Sequence, residues 1–221
     1  MSELVARTGR HQQRYEAGCR LIAGCIPFRF RYSEGSNGNK SEKIVEVLMI
    51  NSTSGPGLLF PKALDGNIAG EVCFHQTNAA LVVYLHGNSC KMYKALNGGW
   101  ENDETVEEAA AREALEEAGV RGELMHFLGH YHFKSKTLQD EFSPEGRCRA
   151  AMFALFVKEE LESWPEQSRR LRSWVTIPEA VECCRHAWMR EALENGFNQW
   201  SADGMIRTMK AVSMDDASDG N

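Results

Sequence analysis

Residues Gly98–Val120, GGWENDETVEEAAAREALEEAGV, decide how this chain is read. Thr105 followed by Glu108 forms a capping box, in which the threonine hydroxyl accepts the Glu108 amide and the glutamate reaches back to the Thr105 amide. Ala109, Ala110, Ala111 and Ala114 favour helix after that cap, and Gly119 supplies the left-handed residue that ends it. The predicted helix has about three turns. Along it Glu113, Glu116 and Glu117 stand at i, i+3 and i+4, so their carboxylates share one face and can converge on a small region. Like charges at that spacing destabilise an isolated helix by roughly a few tenths of a kcal/mol per pair, which calls for a compensating positive charge. A divalent cation is the expected one. Gly98 and Gly99 lie on a tight loop before the helix, where a missing Cβ lets the backbone approach a metal or a phosphate. A merely solvated acidic face is the plainer alternative, but it leaves the agreement of cap, glycines and glutamate spacing unexplained.

Gly98, five residues, Glu104, seven residues, then Arg112-Glu113-Ala114-Leu115-Glu116-Glu117-Ala118-Gly119-Val120 resembles the Nudix box, G-x5-E-x7-R-E-U-x-E-E-x-G-U, with alanine at the first apolar site. RTGRHQQRY, RLIAGCIPFR, LLFPK, FKSK, MFAL, SWPE and PEAVECCRHAWMREAL extend the resemblance over about residues 7 to 195, toward plant Nudix hydrolases related to diphosphoinositol polyphosphate phosphohydrolases. The resemblance implies an α/β (α+β) chain folded as an α/β/α sandwich with a mixed central sheet. It further implies hydrolysis of a phosphoanhydride bond in diphosphoinositol polyphosphates, diadenosine polyphosphates or both, with Mg²⁺ or Mn²⁺ as cofactor.

By the same resemblance Glu113 and Glu117 are the principal metal ligands, Glu116 is a further ligand or the base, and Gly98 contributes its carbonyl. Arg112 is expected to pair with Glu104 or its neighbours and orient the helix, a structural role shared with Gly119. Arg149, Arg20, Lys62 and Gly99 are the substrate-binding candidates, Arg149 first because arginine grips phosphate oxygens bidentately. Lys134, Lys136 and Arg170 are further cations for a polyphosphate. A nucleotide substrate asks instead for an aromatic platform, which Phe133 or Trp100 would supply. Hard oxygen ligands suit Mg²⁺ or Mn²⁺, and the chemistry needs charge on the bridging and non-bridging oxygens neutralised and a water activated.

The 221 residues suffice for one full core, so one domain with tails is expected: an N-terminal extension over 1–18, the Nudix domain over 19–196, and a partly disordered tail over 197–221. A net charge of −6 argues against generic nucleic-acid binding and leaves room for a local basic pocket. Seven cysteines without a CxxC pair or a secretory leader fit a reducing compartment, with Cys183 and Cys184 read as helix packing. No apolar run of about eighteen residues suggests a membrane span. Cytoplasm is the expected location, with the nucleus second. Arg7, Arg10, Arg14 and Arg20 sketch a mitochondrial presequence, against which Glu3 and Glu16 count. Strands are predicted at 21–32, 44–50, 58–62, 124–134 and 149–158, with a polar loop over 33–43, a helix over 178–194 and an acidic disordered tail from Ser213.

The family pattern is broken once. There Phe-Pro-Lys runs directly into Gly-Gly-Trp-Glu, whereas here Ala63–Asn97 separates Phe60-Pro61-Lys62 from Gly98-Gly99-Trp100-Glu101. The inserted segment is apolar, unlike most surface insertions, and an origin in alternative splicing or a retained intron is expected. Its apolar runs over 71–74 and 80–85 read as an added hairpin. Closing such an excursion costs roughly two kcal/mol or less, so the fold survives it. The metal site is more exposed to damage, because a misplacement of about 1 Å can lower a rate a hundredfold. A catalytically impaired isoform acting as a binding module is therefore the alternative function. Val82–Ser89 resembles an α/β-hydrolase oxyanion strand, but no G-x-S-x-G elbow accompanies it. His126, His130 and His132 would alternate onto one strand face, yet with no fourth ligand in view they read as surface or core-edge histidines rather than zinc ligands.

Overall fold

The run CRLIAGCIPFRFRY becomes the central strand β2 (Cys19–Tyr32) of a mixed sheet in the computed structural model, which describes residues 13–32, 43–51, 58–59 and 100–203. From Arg20 to Phe28 every residue of β2 is buried, which is why the sequence there is continuously apolar rather than alternating. The strand has a neighbour on each side: β3 (Lys43–Asn51) runs antiparallel to it and β6 (Arg147–Glu160) parallel. Short β1 (Tyr15–Glu16) pairs antiparallel with the start of β2. β4 (Leu58–Leu59) and β7 (Arg172–Thr176) pair antiparallel with β3, and the long β5 (Val120–Lys134) pairs antiparallel with β6 at the sheet's edge.

The register sorts side chains between two helical layers. Helix α1 (Val106–Ala118) covers one face, with the Cys25 thiol donating to the Ala110 carbonyl at 3.8 Å. Partners in a parallel pair share a face, so Leu21, Ala23 and Cys25 look toward α1 together with Arg149, Ala151 and Phe153. Phe28 looks the other way and packs edge-on against Phe197 and Trp200 at 5.3 and 5.7 Å between ring centroids. Those rings belong to the second layer, made of α2 (Ile177–Cys183), α3 (Ala187–Glu191), a π-helical segment (Ala192–Asn198) and α4 (Gln199–Asp203). The result is the α/β/α sandwich with a mixed sheet.

α1 is fixed at both ends. The Thr105 amide donates to Glu108 Oε2 at 2.8 Å and the Glu108 amide to Thr105 Oγ1 at 3.1 Å, the predicted capping box. Ala109, Ala110, Ala114 and Ala118 are fully buried, and their small side chains bring the helix close to the sheet. At the other end Gly119 takes φ 62 and ψ 37. The last carbonyls of a helix lack intrahelical donors, and the loop between β6 and β7 supplies them together with the first residue of β7. The Glu166 amide donates to Glu116 O at 3.1 Å, the Trp164 indole to Glu117 O at 3.2 Å, and Arg172 Nη1 to Ala118 O and Gly119 O at 3.3 and 3.1 Å.

Three differences from the sequence expectation have physical causes. The helix expected over 178–194 breaks after Cys183, because Cys184 takes ψ 117 and His186 is extended at φ −116, ψ 137. The break lets Trp188 turn inward and stack on Phe133 at 4.7 Å, a tertiary gain that overrides local periodicity. β7 was not anticipated, because RSWVT is short and follows a charged stretch, and β1 was not because it is two residues long. Within the N-terminal extension Tyr15 and Glu16 join the sheet and Gln13 bridges Glu101, and Phe197 and Trp200 bring the start of the C-terminal tail against the core. The segment 63–97 with its hairpin and Val82–Ser89, the polar loop over 33–42, strand residues 60–62 and the tail from Ser213 lie outside the described residues. No helix among the described residues is long and apolar enough to cross a membrane.

Gly119 is doubly constrained, since a Cβ there would meet the Trp164 ring at 2.6 to 2.8 Å in addition to the left-handed φ. Gly119→Ala is expected to lower unfolding stability by about 1–3 kcal/mol, read from urea denaturation curves; a change within error would remove the constraint from this account.

Candidate active site

Glu107 and Glu108 in the first turn of α1 are exposed, but the three glutamates further along the helix are not. Glu113, Glu116 and Glu117 retain 3, 8 and 5% of their exposure, and Glu104 before the helix retains 8%. Carboxylates this far from water need partners. Arg112 provides one set: Nε and Nη2 bind Glu104 Oε2 and Oε1 at 3.0 and 2.7 Å, a bidentate fork, while Nη1 reaches Glu113 Oε1 at 2.5 Å and Glu116 Oε2 at 3.4 Å. Glu104 Oε1 also accepts the Glu101 amide at 3.0 Å, so the loop and the helix are fastened through one carboxylate.

Arg170, in the loop after β6, provides the second set. Its Nη2 lies 2.5 Å from Glu117 Oε1, its Nε 3.0 Å from Glu166 Oε2 and its Nη1 3.1 Å from Asn51 O. The three glutamates thus point at two guanidiniums, where the sequence suggested convergence on one cation. As placed, no three acidic, histidine or cysteine residues among the described residues form a ready metal cage.

The electrostatics nonetheless suit a divalent ion. Burial pushes the Glu113 carboxyl well above the usual carboxylate range; Arg112 pulls it down without reversing this, and the Glu117 and Glu116 charges push it further up. Cys25, beneath the helix, is raised as well, first by burial and then by Glu117 and Glu113. So the carboxylates still repel one another with both arginines in place. Hard oxygen donors at i, i+3 and i+4 with residual negative charge fit Mg²⁺ or Mn²⁺, provided the side chains turn from their arginines. Gly98, the expected carbonyl ligand, lies outside the described residues, as do Gly99 and Lys62.

Arg14, which the sequence offers only as a candidate presequence arginine, holds the loop before the helix. Its Nε donates to Glu101 O at 2.9 Å, its Nη2 to Asn102 O and Glu104 O at 2.9 Å each, and its guanidinium sits 4.7 Å from the centre of the Trp100 ring. It clamps the loop that leads into the helix. Its signal in the sequence is RTGRHQQRY, which carries part of the family resemblance but does not announce the loop as its partner.

The substrate candidates separate. Arg149 faces the α1 side of the sheet, half-buried and paired with Glu16, and His132 is its register partner on β5. His130 lies on the same face; burial first and then the Arg149 charge lower its pKa. Arg20 is buried on the opposite face, in register with Cys148. There its charge helps hold Asp140 below the usual range: burial pushes that carboxyl up, but hydrogen bonds from Tyr15, Ser143 and Phe142 outweigh it. Lys134 is exposed and bonds Glu145 at 2.9 Å. The three histidines do not share a face: irregular pairing between Phe127 and Gly129 shifts the alternation, so His126 stacks on Trp200 at 5.5 Å while His130 and His132 lie on the α1 side.

Compared with known proteins, residues 72–196 match the NUDIX domain family. Over 207 residues the chain is 56% identical to Nudix hydrolase 16, mitochondrial, of Arabidopsis thaliana, covering 94% of this chain and 96% of that protein. It is 40% identical over 212 residues to Nudix hydrolase 12, mitochondrial, of the same plant, covering 94% and 87%. A partial likeness, 34% over 106 residues, covers 45% of this chain and 59% of diphosphoinositol polyphosphate phosphohydrolase 3-alpha of Mus musculus.

Removing Arg112 would strand Glu104, Glu113 and Glu116 in a buried setting. Arg112→Ala is expected to destabilise the chain by about 3–5 kcal/mol in chemical denaturation, and Arg112→Lys by less, since the charge stays while the fork is lost. Equal stability of all three proteins would show that the fork does not hold the helix to its loop.

Proposed function

The chain belongs to the NUDIX family, and on that premise we propose that it is a divalent-metal-dependent hydrolase of a phosphoanhydride bond in diphosphoinositol polyphosphates, diadenosine polyphosphates or both. The observation that carries this reading is the buried, mutually repelling trio Glu113, Glu116 and Glu117 on one face of α1. Hydrolases of the family generally use divalent metal ions; Mg²⁺ or Mn²⁺ is our choice for this chain, on the hardness of its carboxylate donors. When bound, the ion supplies neutralisation of the charge on the phosphoanhydride oxygens.

The chain's own residues do the rest. Glu113 and Glu117 would hold the ion together with the Gly98 carbonyl, and a carboxylate oxygen of Glu116 would either join them or take the proton of the attacking water. Arg112 keeps helix and loop in register for that task. Arg149 is the first contact for the polyphosphate, with His132 and His130 beside it on the same sheet face. The partial likeness to a diphosphoinositol polyphosphate phosphohydrolase supports the inositol substrate ahead of the nucleotide one. The partner is thus a small-molecule polyphosphate, with no role for nucleic acid or membrane.

A second reading rests on the separation of Phe60-Pro61-Lys62 from Gly98-Gly99 by 63–97. If that insertion displaces Gly98, the chain binds polyphosphate without turning it over. Purified full chain and a version lacking 63–97, assayed with Mg²⁺ or Mn²⁺ against diphosphoinositol and dinucleoside polyphosphates, separate the two. Turnover by both supports the enzyme; turnover by the shortened version alone supports the binding module. Glu117→Gln should abolish metal-dependent turnover of the active form and leave its thermal melting nearly unchanged, and full activity in that variant would remove Glu117 from the mechanism.

The two Arabidopsis relatives carry a mitochondrial designation in their names, which supports that organelle ahead of the cytoplasm or nucleus for this chain. A carboxyl-terminal fluorescent fusion expressed in plant cells is expected to coincide with a mitochondrial marker; a diffuse signal would return the assignment to the cytoplasm.

A further inference from the structure

Arg170 reaches the acidic face from outside the motif, and it does so deep in the protein. It retains 8% of its exposure and Glu117 5%, so neither group can fall back on water as its partner. Glu117 is also a residue that metal binding needs. A guanidinium cannot ligate a cation and carries charge of the same sign, so Arg170 Nη2 on Glu117 Oε1 takes up one lone pair of that carboxylate and opposes an ion brought to it. We propose that Arg170 is a built-in competitor for the divalent cation at Glu117, a positioning residue that sets how tightly the metal is held. This rests on the metal-dependent reading above.

The surroundings make the exchange feasible without local unfolding. When Glu117 turns away, Arg170 keeps Glu166 through Nε and the Asn51 carbonyl through Nη1, so its charge stays compensated. The loop keeps its place through the Glu166 amide on Glu116 O and the Trp164 indole on Glu117 O, neither of which involves the Glu117 carboxylate. Arg112 is differently placed. Both oxygens of Glu104 are engaged by its fork, so its role in holding the loop does not depend on which way Glu117 points.

Competition predicts opposite effects from two substitutions. Arg170→Gln removes the competitor and should tighten Mn²⁺ binding about tenfold, the equivalent of one charge-assisted hydrogen bond no longer broken. Glu166→Gln takes away the other carboxylate on Arg170, leaves Glu117 as its main anion, and should weaken Mn²⁺ binding several-fold. A role confined to holding the loop predicts the reverse for Arg170→Gln, because a loosened helix end binds metal less well. The measurement is Mn²⁺ titration of the full chain after chelator treatment, followed by electron paramagnetic resonance of the free ion, with circular dichroism reporting folding. On a Glu117→Gln background, Arg170→Gln should have no effect on the residual affinity. Unchanged or weaker binding in Arg170→Gln overturns the proposal while leaving the metal reading intact. If Arg170→Gln does not fold, Glu166→Gln decides: unchanged or tighter binding overturns it. No Mn²⁺ binding by the unaltered chain sinks the metal-dependent reading and this proposal with it.

Discussion

The Arg112 fork holds Glu104 with two parallel hydrogen bonds while the same guanidinium reaches Glu113 and Glu116. Everything around it depends on that arrangement. Glu104 also accepts the Glu101 amide, and its carbonyl takes donors from Trp100 and Arg14, so the fork fixes where the loop before α1 can lie. The loop in turn sets the start of the helix, at whose N-cap Thr105 and Glu108 exchange hydrogen bonds. An isolated buried carboxylate would be neutral at physiological pH and useless as a metal ligand. In this cluster a buried arginine works against that tendency: burial raises the Glu113 carboxyl and Arg112 opposes the rise.

The far end of the helix is governed by its unpaired carbonyls. Those of Glu116, Glu117, Ala118 and Gly119 take donors from Glu166, Trp164, Arg172 and Leu161, all in or beside one loop. Trp164 packs so closely on Gly119 that no side chain fits between them. Capping the helix and delivering Arg170 to Glu117 are therefore one structural act: the segment that satisfies the backbone also carries the guanidinium. This explains why an acidic face with no basic residue in its own last turn is nonetheless compensated.

What a sequence reveals follows the range of the interactions. The capping box, the helix stop and the glutamate spacing are local, and the structure shows the cap and the stop where the residues put them. The strand through Cys25 is legible because burial on both faces leaves a continuous apolar run. Arg170 and Arg14 act across 53 and 87 positions, and no pattern near either residue announces its partner. The break at Cys184–His186 escapes for a related reason: it has no proline or glycine and exists because Trp188 finds Phe133. The histidines on β5 failed to align because an irregularity in pairing, invisible to simple alternation, shifts the register between His126 and His130.

On the proposed metal-dependent reading, folding and metal binding ask different things of the same carboxylates. Burial requires each to be paired before any ion arrives, while ligation would set the ion against a guanidinium already on the same carboxylate. The chain divides the tasks by partner. Arg112 sits on the helix and bonds the residue that anchors the loop, so giving it up would cost the site its shape. Arg170 sits on a loop whose backbone is already bonded to α1, and its other nitrogens have partners of their own. Glu116 and Glu117 both have carbonyls tied to that loop, which confines their freedom to side-chain torsions. A carboxylate whose backbone cannot move and whose counter-ion is independently held can change partner by rotation alone, and Glu117, with its carbonyl on Trp164 and its Arg170 also held by Glu166 and Asn51, meets both conditions.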